Sequence, residues 1–137
     1  MTLSFTVVVP TYNRPRPLDD CLAALVALDH PRDRFEIVIV DDGSAVPVDD
    51  LVRRHADRSG VSVRLIRQSN AGPASARNTG AAVARHDFIA FTDDDCRPRA
   101  DWLTALAREL ALDPQCAVGG PPSTPSTTTA APRRANS

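Results

Sequence analysis

Residues 88–96 read FIAFTDDDC, a short apolar run that leads through a threonine into three consecutive aspartates. An apolar run of this length, bounded by polar turn residues, reads as a buried strand. Like charges at such spacing repel and raise one another's pKa, so the triplet needs either full solvation or a cation. In an extended chain successive side chains alternate, which puts Asp93 and Asp95 on one side and Asp94 on the other. If Asp93 and Asp95 converge, their oxygens suit a hard divalent cation, Mg²⁺ or Mn²⁺, whose remaining ligands are substrate phosphates and water. Solvated carboxylates at a strand end are the alternative.

The same unit recurs along the chain. Residues 4–9, SFTVVV, form a β-rich run halted by Pro10; residues 35–40, FEIVIV, run into DDGS; residues 61–66, VSVRLI, run into RQSNAG. Helical spacing separates these strands. Residues 17–28 place Leu18, Cys21, Leu22, Leu25 and Leu28 on one face, with Asp19 and Asp20 in the first turn. A second helix is expected over 47–58, opened by Pro47 and ended by Gly60. A third begins at Pro73 within the unit 70–85 and contains Gly80, which implies a packing contact or a nearby ligand. A fourth covers 99–112, with Trp102, Leu103, Leu106, Leu110 and Leu112 inward. The order βαβαβαβα, with strands apolar on both faces, predicts an α/β fold: a mainly parallel sheet between helices, in three α/β/α layers. Ligands of such sheets bind beyond the carboxyl ends of the strands, where PTYN, DDGS, RQSNAG and TDDDC all fall.

Composition removes several chemistries. All 16 basic residues are arginine, so the chain has no lysine for a Schiff base and no GK[ST] for a P-loop. The net charge of -1 gives no field that selects nucleic acid, and none is expected as a partner. No GxGxxG follows the first strand, which disfavours a dinucleotide site. Cys21, Cys96 and Cys116 show no metal-ligand spacing and read as buried thiols in a reducing setting. The start of the chain lacks the pattern of a signal peptide, and no apolar run is long enough to span a bilayer. A cytoplasmic location is expected, compatible with peripheral contact at a membrane.

Other strand-end residues carry two readings each. Asp42 in DDGS suits ribose hydroxyls or the N–H edge of a base, or simply a turn. Tyr12 offers a ring for stacking on a base, or closes the top of the core. Arg77 is an anion or base contact, or an ion-pair partner of Asp42 or Asp93. Asn70 and Gly72 form a loop suited to holding a nucleotide. His30, His55 and His86 have no catalytic arrangement, and the serines lack a GxSxG elbow.

Taken in order, VVVPTYNR, EIVIVDDGS, NAGPASARNTG and FIAFTDDDC resemble the nucleotide-binding half of the family 2 glycosyltransferases, of GT-A fold. The resemblance covers about residues 4–120. It implies transfer of a sugar from a nucleotide-diphosphate donor, usually with inversion, using Mg²⁺ or Mn²⁺. It places Pro10, Thr11 and Tyr12 at the nucleobase, Asp42 at the base edge or ribose, and Arg77 against the nucleotide. Asp93 and Asp95 match the metal-binding pair, with Asp93 and Asp94 near the ribose. The implied partner is a nucleotide-diphosphate sugar, with UDP-type donors slightly preferred.

The resemblance fades toward the end. Residues 117–120 begin what reads as a fifth strand, whereas residues 121–137, PPSTPSTTTAAPRRANS, hold nothing bulky and apolar. The expectation is a nucleotide-sugar-binding part over 1–120 and a disordered Pro/Ser/Thr-rich tail over 121–137. The sheet would then be incomplete, with an exposed edge. The half that carries the acceptor site and the general base in this family has no counterpart, so no catalytic residue is assigned. Two functions follow: a glycosyltransferase that acts with a protein supplying the acceptor half, or a truncated, non-catalytic nucleotide-sugar-binding or vestigial domain.

Overall fold

A computed structural model of the chain describes residues 2–112, 118–120 and 128–132. Six strands, β1 (Phe5–Thr11), β2 (Phe35–Asp41), β3 (Ser62–Arg67), β4 (Phe88–Phe91), β5 (Val118–Gly120) and β6 (Thr128–Pro132), form one sheet in the order β3-β2-β1-β4-β6-β5. Four helices, α1 (Pro15–Val26), α2 (Asp49–Ser59), α3 (Pro73–Ala82) and α4 (Trp102–Leu112), alternate with the first four strands and follow them. Strands β1 to β4 pair in parallel, with Phe5 opposite both Phe35 and Phe88.

Period-two alternation sorts the core onto two faces. Phe5, Val7, Val9, Phe35, Ile37 and Ile39 pack with Leu18, Leu22 and Leu25 of α1, Val52 of α2, and Trp102, Leu103, Leu106 and Leu110 of α4. Val8, Val38, Val40 and Ile89 face the other way, with Ala76 of α3. The expected three layers are present, with α3 on the thinner side. There Glu36, only 2% exposed, accepts from Thr6 Oγ1 at 2.7 Å, Arg64 Nε at 2.9 Å and the Arg85 N–H at 2.9 Å. This fully partnered carboxylate joins three strands and the end of α3 away from the carboxyl edge.

Several local expectations need correction. Strand β1 does not stop at Pro10 but runs to Thr11. The Val8 carbonyl bonds Thr92 on the β4 side, and the Thr11 carbonyl bonds Asp42 on the β2 side. Pro10 therefore turns its missing N–H toward β4, whose ladder already ends at the Val8–Phe91 pair. Helix α1 starts two residues early, with Pro15 in its first turn, so Asp19 and Asp20 lie beyond that turn. Leu112 is 84% exposed rather than inward. The side of β4 away from β1 is paired: β6 runs antiparallel to it, with Ile89 opposite Ala131, and β5 pairs with β6. Thr128–Pro132 thus form a strand within the stretch expected to be tail. An unpaired strand edge offers backbone groups that any extended segment satisfies, without bulky side chains. The rest of that stretch, and Cys116, lie outside the described residues.

Gly80 is explained by packing. A Cβ there would meet Val8 Cγ1 at 2.4 Å and Val40 Cγ2 at 3.2 Å, so the glycine lets α3 lie directly on the sheet. Gly80→Ala is therefore expected to destabilise the chain by roughly 1–3 kcal/mol, despite alanine's better helix propensity. Urea unfolding checks this, and pairing the change with Val8→Ala should recover part of the loss.

Candidate nucleotide and metal site

The carboxyl ends of β1, β2 and β4 open onto one cavity of about 450 Å³, lined by Pro10, Thr11, Tyr12, Arg14, Asp42, Asn70, Gly72, Pro73, Arg77 and Asp93 to Asp95. Every residue singled out at strand ends for ligand contact meets here. His30 and His55 do not line it: His30 Nε2 donates to the Leu3 carbonyl at 2.8 Å and packs edge-on against Phe5 and Phe35. His55 pairs with Asp19 at 2.6 Å.

The aspartates separate as alternation requires, although they follow β4 in a turn. Asp94 points inward, 4% exposed, and accepts from Thr11 Oγ1 at 2.9 Å. Burial raises its pKa, opposed by the Thr11 bond and by Arg14. Asp93 and Asp95 line the cavity, and with the buried Cys96 each offers a ligand atom within 4.8 Å of the others. Two carboxylates beside an open cavity fit a hard divalent cation that shares its remaining positions with phosphate and water. Arg77 lies 3.3 Å from Asp93 Oδ1, the ion pair considered from the sequence.

Cys21 sits directly beneath, its thiol donating to the Asp93 carbonyl at 3.6 Å. Burial, and then the nearby acidic groups, push that thiol far up, so it is an inert packing group. Both described cysteines are free and buried, Cys21 as its apolar helix face predicted.

Asp42 is the most heavily bonded side chain of the site. Oδ1 accepts from Gln68 Nε2 at 2.8 Å and the Ala71 N–H at 2.8 Å, and Oδ2 from Asn70 Nδ2 at 3.1 Å and the Gly72 N–H at 3.0 Å. All four acceptor directions of the carboxylate are used. The Gln68 bond leads in holding its pKa below the usual carboxylate value. Gly43, at φ +88°, lets this turn approach the loop, since a Cβ there would lie 3.0 Å from the Asn70 nitrogen.

The β1–α1 turn is tied to the same place. Asn13 takes a left-handed φ of 54°, its N–H donates to Ser44 Oγ at 2.8 Å, and its Oδ1 accepts from the Ala45 N–H at 2.8 Å. This holds Tyr12 over the cavity, 46% exposed, so the ring does not close the core. Sequence reasoning missed Arg14 and Gln68. Arg14 follows PTYN at the start of α1, but nothing in that position says where a long side chain reaches. Gln68 sits in RQSNAG, and its role needs the distant Asp42.

The chain matches the family described as "Glycosyl transferase family 2" over residues 6–136, and it belongs to that family. It is 40% identical over 118 residues to the pre-mycofactocin glycosyltransferase of Mycobacterium tuberculosis, covering 85% of this chain and 23% of that protein. Among solved structures, it resembles the mannosyltransferase PcManGT of Pyrobaculum calidifontis in complex with GDP-Man and Mn²⁺. There the identity is 32% and the TM-score 0.77, over 85% of this chain and 34% of the other. It also resembles Staphylococcus aureus TarS in complex with UDP-GlcNAc, at 28% identity and a TM-score of 0.73, over 84% and 32%. The fold is of the GT-A type, and the chain spans a quarter to a third of the length of these relatives. Among the described residues no helix is long and apolar enough to cross a membrane.

The Asp42 bonds give a stability prediction. Asp42→Asn places an amide donor against groups that are all donors, and should cost about 2 kcal/mol at neutral pH. A carboxyl group with a depressed folded pKa contributes stability above its unfolded value, near 3.9, and loses it as pH falls through the folded value. The gap between wild type and variant, read by denaturant unfolding, should therefore narrow below about pH 4.

Proposed function

We propose that this chain is the donor-binding unit of a glycosyltransferase that uses a nucleotide-diphosphate sugar, UDP-type by preference, with Mg²⁺ or Mn²⁺ and inversion at the transferred carbon. The observation that carries this is the convergence of Tyr12, Asp42, Arg77 and Asp93 to Asp95 on one cavity, in a chain of this family. Asp93 and Asp95 would hold the metal, which neutralises charge on the departing diphosphate. Tyr12 stacks on the base, with Pro10 and Thr11 forming the strand end beneath it. Asp42 reaches the base edge or ribose by exchanging one of its internal bonds. Arg77 contacts the nucleotide from α3. Asp94, pinned by Thr11, sits toward the ribose.

No carboxylate of the cavity is left to deprotonate an acceptor hydroxyl: Asp42 is assigned to the nucleotide, Asp94 is held by Thr11, and Asp93 and Asp95 are assigned to the metal. Transfer therefore requires a base, and an acceptor surface, from a protein segment or partner beyond the residues described. By themselves, the described residues make a nucleotide-sugar-binding unit.

Calorimetric titration with UDP tests the reading. Binding is expected only with Mn²⁺ or Mg²⁺, because without metal the carboxylates repel a diphosphate. Asp95→Ala should abolish the metal dependence, and Tyr12→Ala should weaken binding about tenfold while leaving the metal required. Tight binding without metal would contradict the site assignment. Sugar transfer by the isolated monomer would contradict the need for an outside base.

A further inference from the structure

Arg14 crosses from the start of α1 to the aspartates, its guanidinium nitrogens 3.4 Å from Asp94 Oδ1 and 3.6 Å from Asp95 Oδ2. Both distances exceed the 2.7–2.9 Å of a tight charge-assisted bond. The side chain is 49% exposed, and Asp95 is 43% exposed. This is a loose pair at the mouth of a cavity, on the carboxylate that also fits a metal. We propose that Arg14 is a built-in counter-ion for the aspartate cluster, yielding Asp95 to the divalent cation and passing to the diphosphate. The inference rests on the reading of the cavity as a metal-dependent nucleoside diphosphate site.

The geometry divides the two partners of Arg14. Asp94 is buried and fixed by Thr11, so it keeps its place whatever binds. Asp95 is 43% exposed, and a cation that takes its carboxylate competes directly with Arg14. Loss of that contact frees one edge of a planar guanidinium beside a cavity that is to receive phosphates, the group such forks bind best. Arginine keeps its proton at any working pH, so the exchange is a movement and not a titration. Arg77 flanks the cluster in the same manner at Asp93. Without ligand, three carboxylates are thus balanced by two of the chain's own cations.

The consequence is a change of sign. Without nucleotide, Arg14 competes with the metal and weakens its binding. With nucleotide, Arg14 has a new anionic partner and the competition is lifted, so Arg14 strengthens the coupling between the two ligands. By linkage this coupling is the same whichever ligand is titrated.

Mn²⁺ titration of the full chain, followed by electron paramagnetic resonance of the free ion, tests this. Removing one positive charge about 6 Å from a dication should tighten Mn²⁺ binding to Arg14→Gln roughly three- to tenfold without nucleotide. Arg14→Lys, which keeps the charge, should stay close to wild type. With saturating UDP, the gain in Mn²⁺ affinity caused by the nucleotide should shrink in Arg14→Gln by a similar factor. Circular dichroism verifies folding, and Arg14→Ala replaces the glutamine variant if that one does not fold. Unchanged or weaker Mn²⁺ binding in the neutral variant overturns the proposal, as does absence of Mn²⁺ binding to wild type and variant alike. Asp95→Ala separates the two levels. If it abolishes Mn²⁺ binding while Arg14→Gln changes nothing, only the counter-ion role fails. If it leaves Mn²⁺ binding intact, the site reading fails.

Discussion

The carboxylates gathered at one sheet edge are the constraint around which the rest is arranged. Asp93, Asp94 and Asp95 leave β4 where Asp42 leaves β2, with the end of β1 between them. Four negative charges around one cavity require compensation, and each element nearby supplies a part. Strand β1 brings the Thr11 hydroxyl to Asp94, α1 brings Arg14, α3 brings Arg77, and the loop after β3 brings four donors to Asp42. The parallel register places these groups at the same level, because Thr11 pairs with Asp41 and the ladder of β4 stops at Phe91.

The compensation is of two kinds. Asp42 and Asp94 are buried and take their short hydrogen bonds from neutral donors, with Arg14 farther from Asp94 at 3.4 Å, a fixed arrangement that shapes the cavity. Asp93 and Asp95 are more exposed and paired with arginines at 3.3 and 3.6 Å, an arrangement a stronger cation displaces at small cost. The fixed pair gives form to the site, and the loosely held pair is the one proposed to take the metal. Burial sets this difference: a buried carboxylate must be satisfied within the protein, whereas an exposed one exchanges partners with solvent.

Much of this was legible in the sequence because it depends on short-range rules. The two-residue period separates Asp94 from Asp93 and Asp95, and the apolar runs give the four parallel strands. The long-range facts were not legible. Pro10 reads as a strand stop unless it is known that its missing N–H faces a finished ladder. Thr128–Pro132 reads as tail because its pairing with β4 depends on an open edge far away in sequence and not on its own side chains. Gln68 and Arg14 sit among ordinary polar residues, and only the fold shows which carboxylates they reach. Gly80 was legible as a demand for closeness, but not that Val8 and Val40 make the demand.

Membership of the glycosyl transferase family 2 and the convergence of these residues lead to one central claim: Asp93 and Asp95 hold a divalent cation together with a nucleoside diphosphate. Anomalous diffraction at the manganese edge, from crystals grown with Mn²⁺ and UDP, tests it most directly. The account predicts a peak within coordination distance of both the Asp93 and Asp95 carboxylates, in contact with the diphosphate. UDP seated in the cavity with no manganese peak there, or a peak held by other residues, would contradict it.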